Sequence, residues 1–217
     1  IKEACKNLNT PVVSGNVSLY NENEGEGVYP TPEIAMVGVG DEFRSSELKS
    51  EGNTIYILGE TKPEFGGSLY LKVFGRKVAG EHPEIDFEKE LKLWDILQSD
   101  LIKSAKDIST GGLAIAAYKW ACVSDKGLDI NVKVKNPEDI FAESLSRAFV
   151  EIEPKDEEKF EKLCMDKGIY FEKVGKVGGD KIKINDVEVD LEKAKDICFN
   201  TFPKIMKNIH DFADDLL

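Results

Sequence analysis

The chain has 217 residues, a net charge of −12, 41% hydrophobic residues and 32% charged ones, a composition that supports a packed core rather than disorder. The acidic balance excludes nonspecific nucleic-acid binding, because phosphate backbones need a cationic face, and no apolar run reaches the ~18 residues of a membrane span. The same balance is compatible with a metal–nucleotide site, where Mg²⁺ offsets carboxylate–phosphate repulsion, although its plainest consequence is solubility. The length allows one large domain, or one domain plus part of another. Cys5, Cys122, Cys164 and Cys198 are widely spaced, with no CxxC pair. They read as small core residues in a reducing compartment, not as a zinc cluster or a disulfide framework.

In chain order, Ile1, Ala4, Cys5 and Leu8 share a helical face, which Asn9-Thr10-Pro11 ends. Pro11 to Ser18 reads as strand, glycine and loop, and Asn21 to Pro32 as a Gly- and Glu-rich loop. Ile34 to Val39 is apolar enough for a buried strand. A helix running straight into strands at the start looks like the middle of a fold, so the chain is expected to be a piece of a longer polypeptide.

Residues 41–53 are polar and read as a connection between domains. Ile55 to Leu58 is a short buried strand, Glu64 to Ser68 a Gly-rich turn, and Leu69 to Phe74 a short helix. Asp86 is a candidate N-cap for a helix whose apolar positions run Phe87, Leu91, Trp94, Leu97 and Leu101. Leu113 to Val123 is apolar on all sides, the mark of a buried helix. Ile130, Val132 and Val134 alternate as a half-exposed strand, and Ala148 to Glu153 is another. Lys155 to Lys167 is a charged helix ending at Gly168. Ile169 to Val189 reads as strands broken at Gly178-Gly179-Asp180 and Asn185-Asp186. Leu191 to Phe202 is a last helix that Pro203 interrupts, followed by a helical tail over 201–217. This order predicts an α/β (mixed α+β) fold with a mixed sheet and flanking helices.

Four segments could carry chemistry. In Ser14-Gly15-Asn16-Val17-Ser18, the glycine lets a ligand approach the backbone. Asn16 offers a neutral oxygen to Mg²⁺, and Ser18 can bond a phosphate or sugar. A plain turn uses the same residues. Asp107-Ile108-Ser109-Thr110-Gly111-Gly112 opens the buried helix as a possible anion site, or simply caps it and lets it pack closely. Glu143, Ser144 and Arg147 could grip a substrate or form a surface ion pair. Gly66-Gly67-Ser68 lacks the Gly-Lys-Ser/Thr of a phosphate-binding loop and reads as a turn. His82 and His210 belong to no local metal motif or triad and read as surface residues.

Taken in order, SGNVSLYNE, PTPEIAMVG, FGGSLYL, AKDISTGGLAIA and FAESLSRAFV resemble the C-terminal part of the PurL family of phosphoribosylformylglycinamidine synthase subunits, within the PurM-like (AIR synthase-related) superfamily of ATP-dependent enzymes. The resemblance implies residues 1–45 as the end of a second PurM-like N-terminal, ATP-binding domain and 53–200 as a PurM-like C-terminal domain. It implies a ligase reaction, in which formylglycinamide ribonucleotide, ATP and glutamine-derived ammonia give formylglycinamidine ribonucleotide, ADP and phosphate. By the motif match Gly15 would bind ATP, Asn16 would ligate Mg²⁺ and Ser18 would contact substrate, in a cytoplasmic enzyme of purine biosynthesis. The implied partners are the remaining N-terminal part of the subunit, a glutaminase subunit and a small accessory subunit; neither nucleic acid nor a membrane is implied. No catalytic residue is carried over, since the family's catalytic histidines lie in a region this sequence does not contain. The fragment alone is therefore expected to be inactive. Asp107 and the Glu143-Ser144 pair resemble positions used in the family's first, catalytic repeat, and here could be structural. The alternatives are another enzyme of the superfamily (a selenophosphate synthetase, a thiamine monophosphate kinase or a hydrogenase-maturation protein) or a noncatalytic docking domain.

Overall fold

The structure is a computed structural model and describes residues 1–17, 21–29, 31–41 and 43–214, with side chains through residue 207. It divides into two units, Ile1–Phe43 and Arg44–Leu217.

In the first unit, α1 (Lys2–Asn7) half-buries Ala4, Cys5 and Leu8 on one face. Strands β1 (Glu22–Asn23) and β2 (Glu26–Gly27) form a two-residue hairpin. Its turn residues Glu24 and Gly25 both have positive φ, as a tight right-twisted hairpin requires. Neither Pro11 to Val17 nor Ile34 to Val39 is a strand, which corrects the expectation for both. Ile34, Met36, Val37 and Val39 are exposed. A buried strand needs hydrogen-bonded neighbours and a layer to pack on, and no described residue of this unit is buried.

The second unit is built on seven strands. Thr54, Ile55, Tyr56, Ile57 and Leu58 form β3, buried on both faces. Short helix α2 (Leu69–Phe74) follows, capped by the Ser68 side chain. Helix α3 (Phe87–Leu97) starts at Asp86, whose carboxylate accepts from the N–H groups of Glu88 and Lys89. Then come β4 (Ile102–Asp107), α4 (Gly112–Ser124) and β5 (Leu128–Ile130). A 3₁₀ turn at Pro137–Phe141 leads to β6 (Ala148–Ile152) and α5 (Glu157–Lys167). The chain ends with β7 (Phe171–Val177), β8 (Lys181–Ile184), β9 (Val187–Asp190) and α6 (Leu191–Asp214).

The sheet order is β4-β6-β3-β7-β5-β8-β9, antiparallel throughout except for the β5–β8 pair. Period-two alternation along β3 sends Ile55 and Ile57 to one face and Tyr56 and Leu58 to the other. The first face packs on α4 and the start of α6 through Leu113, Ala117, Trp120 and Ala194. The second packs on α3 and α5 through Leu93, Ile96, Phe160 and Cys164. Two helical layers thus sandwich a mixed sheet, the expected architecture.

Several local expectations change: Cys198 is exposed rather than a core residue, and the strand expected through Val134 is β5, which ends at Ile130. The helix that starts after Asp86 stops at Leu97, short of the expected Leu101, and Ile102–Asp107 is a strand. Its polar Ser104 is buried because its hydroxyl donates to Glu151 Oε2 at 2.6 Å. The polar segment 44–53 is bound to the domain. Arg44 donates to the carbonyls of Leu97 and Ser99, the Trp120 indole donates to Ser46 O, and Leu48 N–H to Ser124 Oγ. The fully buried Glu151 carboxylate accepts from the N–H groups of Lys49 and Ser50 and from Asn53 Nδ2. Finally, α6 runs through Pro203 instead of ending there. Thr201 Oγ1 donates to Ile197 O at 2.7 Å, and Asn200 and Lys204 both reach the Asp196 carboxylate, so side chains span the turn where the proline lacks a donor.

Candidate functional site

Gly15 and Asn16 lie in an irregular, exposed stretch of the first unit. A Cβ placed on Gly15 would have nothing within 4 Å, so no steric demand for glycine arises there. Ser18 lies outside the described residues. Asn16 supplies one neutral oxygen, and among the described residues no three His, Cys, Asp or Glu side chains gather into a metal-binding group. The described residues therefore do not fit a Mg²⁺ site by themselves, and the remaining ligands would have to come from phosphate oxygens, water or other parts of a longer protein.

The other motifs converge in the second unit. Glu143 Oε1 accepts from Gly111 N–H at 2.9 Å and from Leu69 N–H at 2.8 Å. One carboxylate thus joins the N-terminal ends of α4 and α2, where free N–H groups and the helix dipole favour negative charge. Gly111 caps α4 with φ 85° and no side-chain bond, so neither Ser109 nor Thr110 is the cap. Ser109 Oγ instead donates to Asp107 at 2.7 Å. Burial works to raise the Asp107 carboxyl, but bonds from Lys106 and Ser109 outweigh it and hold the group below its ordinary value.

Arg147 is buried, and among the described residues it forms no ion pair. Its guanidinium donates to Ser144 O at 2.8 Å, Ala142 O at 2.7 Å and Thr61 Oγ1 at 3.0 Å. Burial pulls its pKa down to about 10, partly opposed by the charges of Glu64 and Glu143. Ser144 Oγ sits 3.0 Å from both the N–H and the carbonyl oxygen of Lys62. Glu143, Ser144 and Arg147 are thus brought together as a brace between the Gly-rich turn, α2 and α4. Gly66 to Ser68 is a capped turn, as expected, and His82 is exposed. The side chain of His210 lies outside the described residues.

A cleft of about 250 Å³ opens beside this brace, with Glu60, Lys62, Lys89, Lys92, Ser146 and Tyr170 on its walls. Its charges are mixed and partly paired: Lys89 faces Glu60 at 3.8 Å and Lys92 pairs with Glu88, while Ser146 donates to Glu90. Among the described residues, neither a histidine nor a cysteine lines it. The lining residues come from separate segments, and of those named only Ser146 falls in a segment that the sequence singles out.

A family model described as "AIR synthase related protein, C-terminal domain" matches residues 50–187. The PurL subunit of phosphoribosylformylglycinamidine synthase from a Sulfurovum species is 49% identical over 214 residues, covering 95% of this chain. That from a Nitratiruptor species is 49% identical over 211 residues, covering 94%. The chain spans 29% of the length of each. Among solved structures, T. maritima PurL complexed with FGAR superposes with a TM-score of 0.60 at 16% identity, over 70% of this chain and 29% of that one. E. coli HypE, a hydrogenase maturation protein, gives 0.51 at 13% identity, over 70% and 52%. At those identities the superpositions speak to fold alone; the sequence relatives bear out the resemblance to PurL. By the domain matched over most of its length, this chain belongs to the AIR synthase-related protein family.

Proposed function

We propose that this chain is part of a PurL-type phosphoribosylformylglycinamidine synthase and contributes to an ATP-dependent C–N ligation. The observation that carries this reading is the 49% identity across 95% of the chain to PurL subunits. The reaction joins ammonia derived from glutamine to formylglycinamide ribonucleotide. The amide oxygen takes the γ-phosphoryl group of ATP, and ammonia then displaces phosphate, leaving formylglycinamidine ribonucleotide, ADP and phosphate. T. maritima PurL, which shares the fold, binds ATP, and a PurLQS assembly exists for that protein.

On this reading, residues 1–45 belong to an ATP-binding half and 53–200 to the C-terminal half that follows. Gly15 lies against ATP, Ser18 against the substrate, and Asn16 gives one oxygen to a Mg²⁺ whose other ligands lie elsewhere. Mg²⁺ held there in part by Asn16 would supply charge neutralisation at the phosphates. The partners are the rest of the PurL chain, a glutaminase and a small accessory subunit, in the cytoplasm. No helix of the described residues is long and apolar enough to cross a membrane.

A second reading is favoured by Glu143. The Gly-rich start of α4, suited to an anion, already carries a carboxylate of the same chain. The second unit on this reading buttresses a catalytic region elsewhere and docks its partners. Both readings predict that the 217-residue chain by itself is silent with ATP, formylglycinamide ribonucleotide and ammonia. ADP release, measured with and without the rest of the PurL protein, tests this. Turnover above a heat-killed control by the chain alone would overturn it.

A further inference from the structure

Helix α6 opens by packing on the second unit: Leu191 and Ala194 are buried, and Tyr118 OH donates to Ala194 O at 2.5 Å. Among the described side chains, every one from Asp196 through Lys207 is exposed, so α6 continues for roughly three turns clear of the core. The apolar line of Leu191 and Ala194 nevertheless runs on along it. Cys198, Phe202 and Ile205 follow at three- and four-residue spacing, which keeps them on one helical face. Ile197, Phe199 and Met206 widen the stripe, and Phe202 is 70% exposed. Asp196, Lys204 and Lys207 lie away from that line, and Asn200 and Lys204 both bond the Asp196 carboxylate. A short helix is marginal in water by itself, and Pro203 weakens this one further by removing a backbone donor.

We propose that this stripe is an interaction surface covered by the part of a PurL polypeptide that lies outside these 217 residues. The cover is an apolar groove that receives Phe202 and Ile205 as neighbouring anchors of one helix face. This rests on the PurL reading above and names the face through which the chain joins the rest. The chain spans 29% of the length of its PurL relatives, so most of such a polypeptide remains to supply the groove. A second copy of the chain is a poorer occupant. Ile197, Phe199, Phe202, Ile205 and Met206 each expose roughly 100 Å² at most. Two such stripes reach about 1,000 Å², short of the ~1,200–2,000 Å² of a stable specific interface. A tethered segment docks at the effective concentration that its own chain sets, so less area suffices. An anionic lipid surface is disfavoured by the net charge of −12.

The test compares maleimide labelling of Cys198, an exposed thiol, in the 217-residue chain and in full-length PurL. Modification is read on the tryptic peptide from Asp196 to Lys204. Labelling should be slower by about tenfold or more in the full-length protein. Phe202→Asp, and the milder Ile205→Ala, should speed labelling and lower melting by several degrees in the full-length protein. The same substitutions should leave the 217-residue chain melting within about a degree of its parent. Equal labelling rates in the two proteins would overturn the proposal, as would a shorter chain that light scattering finds dimeric with Cys198 shielded. Full-length protein that shields Cys198 but releases no ADP with formylglycinamide ribonucleotide and ammonia would support the docking and count against the ligase reading alone.

Discussion

Glu143 Oε1 lies 2.9 Å from the backbone N–H of Gly111, directly at the N-terminal end of α4. The same oxygen accepts from Leu69 N–H, so a single carboxylate satisfies orphan donors of two helices. Hydrogen bonds to an ionised group contribute about 1.5–3 kcal/mol. Glu143→Ala should lower stability by about that amount and melting by several degrees. Glu143→Gln keeps a neutral oxygen and should lose less. Thermal and urea unfolding of both variants checks this; an alanine variant that melts within a degree of wild type would contradict the brace.

Gly112 has φ 67°, and a Cβ there would fall 2.6 Å from Ala142 O and 2.7 Å from the Phe141 carbonyl carbon. The close approach is what brings α4 down onto the turn that precedes Glu143. Gly112→Val should therefore be severely destabilising, by about 1–3 kcal/mol from overpacking with backbone strain added. Even Gly112→Ala meets the same backbone atoms. Chemical denaturation measures both, and a fully stable alanine variant would show that the turn yields.

Tyr56 OH donates to Glu161 Oε1 at 2.7 Å beneath the edge of Phe160. Burial, then the bond to Glu161 and the nearby carboxylates, pushes the phenol well above its ordinary value of 10.0. A folded-state pKa above the unfolded one means that the folded chain keeps a proton the unfolded chain releases. The stabilisation is complete below about pH 10 and falls as pH rises beyond it. Tyr56→Phe removes this dependence. The stability gap between wild type and variant should narrow from about pH 9 to about pH 11 in urea titrations. A gap constant over that range would contradict the assignment.

How much of this was legible in the sequence depended on the range of the interactions. The apolar runs of β3, β6 and α4, the Asp86 cap and the turn residues between β7, β8 and β9 act locally, and each announces its element. Strand β4 did not, because IKSAKD is polar and its buried Ser104 is explained only by Glu151, 47 residues away. The 44–53 segment looked like a free connection because its anchors at Leu97, Trp120, Ser124 and Glu151 are remote in sequence. Ile34 to Val39 carries strand chemistry, but its unit supplies no sheet or buried layer for it among the described residues. At the candidate site, the Gly-rich segment Asp107 to Gly112 hinted at an anion site and Glu143 at a substrate grip. Its bonds to positions 69 and 111 make the carboxylate the occupant. The Gly15–Asn16 motif was legible through resemblance alone, since the described residues around it form no partner cluster.

On the proposed reading, Asn16 supplies a metal ligand to an ATP site in a longer PurL protein. The Mg²⁺ dependence of kcat/KM for ATP in the full-length protein carrying Asn16→Ala tests this, with circular dichroism as the control for folding. Loss of one neutral oxygen ligand removes a metal contact and little packing, since Asn16 is exposed. The expected outcome is a marked rise in the Mg²⁺ needed for half-maximal activity with an unchanged fold. A variant whose Mg²⁺ dependence matches wild type would contradict it.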